Sequence, residues 1–303
     1  MADEPKIALI FDLGGKFDKS FNEAAHNGGA AFQAATGISY HDFEPQSEAQ
    51  MEQAIKRFAR RGYDLIIAIG ISYETPLRKV AEKYPDMHFT VIDSHVDMPN
   101  VQSVSFKEEE GSYLVGMIAA MASKNQKIGF IGGMDIPLIR KFASGYVQGA
   151  RFINPDIEII QNMVGASPTA WNDPIRGGEL ARSQYARGAD VIYSAAGPTG
   201  LGVIQAAKET GNLSIGVDSN QNHIAPGYVL TSMIKRVDFA VERAMLGAYN
   251  GDWHSGVEVL GLAEDGVDFA LDEFNQHLIT DEMRQRLGDA RAKIISGEIV
   301  INP

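Results

Sequence analysis

Cysteine is absent from this 303-residue chain, which excludes disulfide frameworks, thiolate metal sites and cysteine nucleophiles together. A chain without thiols suits an oxidising compartment. Long apolar runs are missing as well. None approaches the roughly 20 residues of a membrane helix, so the expectation is a chain that stays out of the bilayer. Positive charge is scarce, with 27 Lys and Arg against 39 Asp and Glu, a net charge of −12 and a pI near 5.0. Such a surface repels phosphate backbones, and no basic cluster offsets it, which argues against nucleic acid as a partner. The histidines at 26, 41, 88, 95, 223, 254 and 277 form no HxxxH or HxH pair, so no metal site is expected. There is no GxSxG elbow, and Glu108-Glu109-Glu110 reads as a charged helix start. No catalytic residues, and no enzyme, are expected. The opening MADEPKIALIF lacks a basic n-region and an apolar h-region. The expectation is a chain without a signal peptide, whose Ala-Asp-Glu-Pro start suits a mature exported protein.

What is present is an alternation of strands and helices. KIALIF, ISYHDFEP, DLIIAIG, HFTVID and VQSVSF read as strands, separated by helical stretches such as QSEAQMEQAIKRFARRG, whose apolar positions are 51, 55, 58 and 59. EEEGSYLVGMIAAMAS is a helix with an acidic first turn, suited to the helix dipole. A second series starts at Lys127 with KIGFIGG and runs through IEIIQNMVG, DVIYSAAG and LSIGVD. The spacing predicts two parallel, doubly wound lobes with a reset near 122–127, followed by a tail that can cross between them. No short internal repeat is visible.

In such sheets ligands bind beyond the carboxyl ends of the strands, so the loops there are the candidates. In FDLGGKFDKSFNEAAHNG, Asp12 is either a turn carboxylate or an acceptor for a ligand. Phe21 is either core or a stacking surface, and Asn22 offers both a donor and an acceptor. Together they describe a site for a planar, hydrogen-bonding ring. Gly197 stands in SAAGPTGLGVIQAAKE, which is neither a P-loop nor GxGxxG, and which reads as a helix N-terminus for hydroxyls or as a tight turn. Asp218 ends LSIGVD and could take a vicinal diol. Lys235 could donate to a further oxygen or pair with a carboxylate. Trp171, in ASPTAWNDP, is either a ligand platform or a cover for an apolar patch.

FDLGGKFDKSFNEAAHNG resembles the TDxGGxxDKSFNxxAWxG opening of the basic membrane protein (BMP), or PnrA-like, family, substrate-binding proteins of purine nucleoside ABC transporters. The likeness continues through YDLIIAIG, VAEKYPDMHFTVID, EEGSYLVGMIAAMASKNQKIGFIGGMDIP, FASGYVQGA, DVIYSAAGPTGLGVIQAAKE and IGVDSNQ, about 230 residues in order. It implies an α/β type I periplasmic-binding-protein fold of two Rossmann-like parallel-sheet lobes joined by a multi-strand hinge. The first lobe would take 1–122 plus about 235–256, and the second 123–234 plus about 257–303, with the ligand in the cleft between them. By position, Asp12 and Asn22 would bond the purine, Phe21 would form one stacking wall, and Trp171, or in second place Tyr193, the other. Asp135 would be a second base contact. Gly197, Asp218 and Lys235 would hold ribose hydroxyls. The resemblance further implies an ABC permease as partner, no cofactor, a monomer, and a periplasmic location, lipid-anchored where the precursor carries an anchor. Asn220 departs from an acidic residue common in the family, and Trp171 from a common Phe, either of which could favour a free base over a nucleoside.

Two other classes compete. An NAD- or sugar-phosphate-dependent enzyme would need the GxGxxG and acid–base pair that are lacking. A purine- or sugar-sensing regulator would need a DNA-binding segment, and the strand at residue 6 leaves no room for one ahead of the lobes.

Overall fold

A computed structural model describes residues 4–303; the Met-Ala-Asp start, part of the segment read as a mature exported terminus, lies outside the described residues. In chain order the elements are β1 (Ile7–Ile10), α1 (Phe21–Thr36), β2 (His41–Phe43), α2 (Glu48–Arg60), β3 (Leu65–Ile69), α3 (Glu74–Ala81), β4 (His88–Ile92) and β5 (Val101–Phe106). Then follow α4 (Glu108–Ala122), β6 (Lys127–Met134), α5 (Pro137–Ile153), β7 (Glu158–Gly165), α6 (Pro174–Ala186), β8 (Val191–Ala195), α7 (Gly200–Thr210) and β9 (Leu213–Asp218). The last elements are β10 (Val229–Lys235), α8 (Val237–Asn250), β11 (Gly256–Leu260), β12 (Val267–Phe269) and α9 (Asp281–Ile295).

The chain divides into two compact units. One comprises residues through Asp18, Asn22–Phe106 and Arg236–Leu260; the other comprises Lys19–Phe21, Lys107–Lys235 and Gly261–Pro303. The first holds a six-stranded sheet ordered β11-β5-β4-β3-β1-β2, parallel throughout. The second holds β12-β10-β9-β8-β6-β7, parallel except for β12, which runs antiparallel to β10. Parallel strands are covered on both faces by their crossover helices, which is why β1, β3 and β8 are buried along their whole length and carry almost only apolar residues. The apolar stripe of α2 does what its spacing predicts: Met51, Ala54, Ile55, Phe58 and Ala59 are its buried residues, packed on β1 and β3.

The two sheets share one plan that no short sequence repeat announces. β3 and β8 hold the same place in their sheets. Each is followed by a 3-10 turn and a helix, with a glycine of positive φ just before the turn (Gly70, +114°) or as its first residue (Gly197, +56°). β4 and β9 also correspond. After β4 and at the end of β9 come Asp93 and Asp218, with φ of 64° and 65°, each followed by serine. Left-handed backbone is uncommon for a side chain with a Cβ, and Asp is among the residues that tolerate it.

The sequence boundary at 122 falls after α4, whereas α4 groups with the second unit. The reason is its packing on α5. A Cβ on Gly116 would lie 2.2 Å from the Tyr146 carbonyl oxygen, one on Gly145 2.2 Å from that of Glu109, and one on Gly149 1.9 Å from that of Tyr113. Gly145 and Gly149 are four apart, hence on one face, and they let the two helix backbones touch. Gly149→Ala is expected to cost about 1–3 kcal/mol, because its methyl meets backbone and cannot be accommodated by a rotamer change. Gly288→Ala in α9, whose added methyl meets nothing within 4 Å, is expected to be neutral or to stabilise by up to about 1 kcal/mol. Urea unfolding midpoints of the two variants check this.

Candidate functional site

In the first unit, Asp12 lies just beyond β1. Its backbone N–H donates to Asn22 Oδ1 (2.9 Å), and its own Oδ1 accepts the Leu13 N–H (2.8 Å). Oδ2 lies against Gly70, where a Cβ would stand 2.2 Å from it; a side chain at 70 would displace the carboxylate. Burial among protein atoms raises the Asp12 carboxyl to about 7; the Leu13 N–H opposes the shift, and the carboxylates of Asp93, Asp18 and Glu48 add to it. Asp18 secures the start of α1. Its Oδ2 accepts from the Asn22 backbone N–H (3.0 Å) and from Asn22 Nδ2 (3.1 Å), and its Oδ1 from the Glu23 N–H (3.0 Å). The two backbone N–H groups are orphan donors of a helix N-terminus, satisfied here by a carboxylate that precedes the helix. The buried Asn22 amide therefore bridges Asp12 and Asp18, spending one acceptor and one donor, which leaves it one further N–H.

The other candidates belong to the second unit. Phe21 and Asn22, expected together on one ring, fall in different units, because Lys19–Phe21 cluster with the second. Ser20 Oγ donates to Asp218 Oδ2 (2.6 Å), and Ser219 Oγ donates to the Ser20 carbonyl (2.7 Å). Lys235, 2% exposed at the end of β10, pairs with Glu108 (3.0 Å), which opens α4 and has no exposed surface. The Lys235 ammonium also stands 5.4 Å from the Phe21 ring centre and 5.6 Å from that of Phe142, a cation held between an anion and two aromatic faces. Lys141 reaches the other Glu108 oxygen at 3.7 Å.

Trp171 closes a 3-10 turn, Pro168–Trp171, and its benzo ring rests on the end of β6: a Cβ on Gly133 would come within 2.1 Å of it. Its carbonyl is 3.4 Å from where a Gly197 Cβ would be, so these two candidates are neighbours. Two candidates lie apart. Tyr193, fully buried in β8, packs on Phe130 and Tyr146, and its hydroxyl meets Ser112 Oγ at 3.3 Å. It is a core residue of the second unit and not a surface. Asp135 is exposed and bonded to Arg140 Nε at 2.7 Å, which draws its carboxyl below the usual range. Asn220 donates to Asp272 Oδ2 (2.6 Å), and its Oδ1 accepts the Asn222 N–H (3.0 Å). An acidic residue at 220 would face the Asp272 carboxylate, which accounts for the amide there.

A separate cleft of about 680 Å³ opens in the first unit between the first turns of α2 and α3, with Glu48, Glu52, Lys56, Ser72 and Glu74 among its walls. No aromatic ring lines it, so it offers no stacking platform. Sequence reasoning passed over Glu108, Ser20, Phe142 and Asp18. A carboxylate inside an acidic run gives no local sign that one of three is buried, and Ser20 shows its part only once Asp218 is beside it.

Residues 5–303 match the family model for Bmp, described as ABC transporter substrate-binding protein PnrA-like. The chain is 31% identical to the ABC transporter nucleoside-binding protein BmpA of Lactococcus lactis, over 98% of this chain and 88% of that one. It is 34% identical to an uncharacterized lipoprotein of Pyrococcus horikoshii, over 87% and 68%. Among solved structures, an ABC transporter solute-binding protein from Aeropyrum pernix superposes with a TM-score of 0.91 at 30% identity, covering 99% of this chain and 94% of that one. The fold is that of type I periplasmic binding proteins. Among the described residues, no helix is long and apolar enough to cross a membrane.

Glu108→Gln removes a counter-charge 3.0 Å from a buried ammonium and is expected to cost about 3–5 kcal/mol. The double variant Glu108→Leu with Lys235→Met is expected to cost less than the sum of its single changes, as read by chemical denaturation in a double-mutant cycle.

Proposed function

The chain belongs to the Bmp family of PnrA-like ABC transporter substrate-binding proteins, and on that footing we propose that it captures a purine nucleoside or purine base outside the cytoplasm and delivers it to a membrane permease. The observation that carries the reading is the Asp12–Asn22 pair, locked at 2.9 Å at the end of β1. That bond runs from the Asp12 backbone N–H to Asn22 Oδ1, and in this reading the Asp12 carboxyl and the remaining Asn22 N–H serve as acceptor and donor for a purine edge. The name of the Lactococcus lactis relative supports the same class of ligand.

In this reading Asp12 and Asn22 bond the base. Phe21 stacks on it with the face turned away from the Lys235 ammonium, and Trp171 supplies the second wall. Gly197, Asp218 and Lys235 hold ribose hydroxyls. Asp135 reaches the base only by exchanging its Arg140 partner, and Tyr193 supports the wall from the core. Stacking contributes roughly 0.5–1.5 kcal/mol beyond burial, and each charged hydrogen bond roughly 1.5–3 kcal/mol. A handful of such contacts suffices for sub-micromolar affinity after association costs of several kcal/mol.

Calorimetry of refolded, ligand-stripped protein against adenosine, guanosine, inosine, adenine and ribose tests this. Heat with purines is expected; heat with ribose alone would overturn it. Phe21→Ala and Asp12→Ala are each expected to weaken purine binding at least about tenfold, a loss of 1.4 kcal/mol or more. Asp218→Ala is expected to weaken nucleosides more than free bases.

A further inference from the structure

Three residues between β1 and α1 are gripped from one place. Lys19, Ser20 and Phe21 group with the second unit, whereas Asp18 and Asn22 on either side of them group with the first. The grip comes from the turn that follows β9. Gln221 Nε2 donates to the Lys19 carbonyl (2.9 Å), and Ser219 Oγ donates to the Ser20 carbonyl (2.7 Å). Ser20 Oγ answers with a bond to Asp218 Oδ2 (2.6 Å). Lys19 has a φ of 61°, a left-handed backbone uncommon for a lysine, and Gln221 holds the carbonyl of that same residue. Such a conformation persists where the surroundings over-determine it.

Gln221 is itself fixed. It is 1% exposed, its Oε1 accepts the Val217 N–H (2.9 Å), and its backbone N–H donates to Ser232 Oγ on β10 (2.9 Å). The Ser232 hydroxyl donates onward to Asn222 Oδ1 (2.9 Å). The Gln221 amide cannot turn over, because Val217 requires an acceptor and Lys19 a donor. Gly216 makes room for this arrangement: a Cβ there would stand 2.5 Å from Gln221 Oε1 and 2.8 Å from Ser232 Oγ. Hydrogen bonds therefore run unbroken from β9 and β10 to the backbone that carries Phe21.

We infer that Gln221 and Ser219 are positioning residues for the ligand, acting through Phe21 by fixing the backbone that aims its ring. This rests on the purine reading above, in which Phe21 is a stacking wall. Lys235 meets the half-buried ring from one direction only, with its ammonium 5.4 Å from the ring centre. The bonds to the Lys19 and Ser20 carbonyls supply the remaining restraint. Both ends of the Gln221 amide are engaged by backbone, as suits a support and not a contact. A binding surface works only when the residues behind it hold its geometry closely.

Calorimetry with guanosine, adenosine and adenine tests this on the full chain. Gln221→Met, similar in length but without hydrogen-bonding groups, is expected to weaken guanosine about tenfold, and less than about twofold in the Phe21→Ala background. Ser219→Ala is expected to weaken it about threefold, while Ser219→Thr, which keeps the hydroxyl, restores it. The Gln221→Met loss is expected to be equal for adenosine and adenine, since Phe21 stacks on the base of each. Three results would overturn this inference alone: equal losses with and without Phe21, a loss confined to adenosine, or unchanged affinity in both Gln221→Met and Ser219→Ala. The second of these would assign the effect to Asp218 and the ribose. No heat with any purine in the wild type would overturn the purine reading with it.

Discussion

A lysine ammonium is too strongly hydrated to be left alone in a protein interior, and the second unit is organised around one. Lys235 brings the charge to the end of β10, and Glu108 meets it at 3.0 Å from the first turn of α4. A carboxylate in that place also satisfies the helix dipole. Phe21 and Phe142 flank the ammonium with aromatic faces. The pair therefore fixes three things together: where α4 starts, how α5 lies along it, and where Phe21 stands. Replacing such a pair with apolar residues is often harmless to stability, whereas removing one partner leaves an uncompensated buried charge.

The same economy governs the strand ends. Parallel sheets covered on both faces leave only the carboxyl edge for polar chemistry, and both sheets use it alike, with a glycine of positive φ after one strand and a left-handed aspartate at another. At Gly70 the missing Cβ is what lets Asp12 lie flat against the backbone, and at Gly133 it is what seats Trp171. Two aspartates held in uncommon backbone conformations at corresponding positions suggest that strain is accepted where the side chain must be aimed.

Much of this was legible in the residues. Strand and helix alternation is written in runs such as DLIIAIG and in the stripe of Met51, Ile55, Phe58 and Ala59, because burial on a parallel sheet leaves little compositional choice. The site loops were legible for the same reason: they follow the strands. What did not show is what depends on distant partners. Lys235 stood open between a ligand contact and an ion pair until Glu108, 127 positions earlier, came to lie beside it. Tyr193 follows a strand pattern that does not say which neighbours fill its surroundings. Phe21 and Asn22 are adjacent in sequence, and nothing local tells that the division between units passes between them. The α4 boundary was missed because helix–helix contact through Gly116, Gly145 and Gly149 outweighs the chain's own order.

The most direct test of the account is backbone and indole amide mapping by nuclear magnetic resonance as guanosine is added. The account predicts the largest shifts at Leu13, Asn22, the Trp171 indole, Gly197 and Asp218. Shifts confined to Glu48–Pro76, around the cleft between α2 and α3, would contradict it.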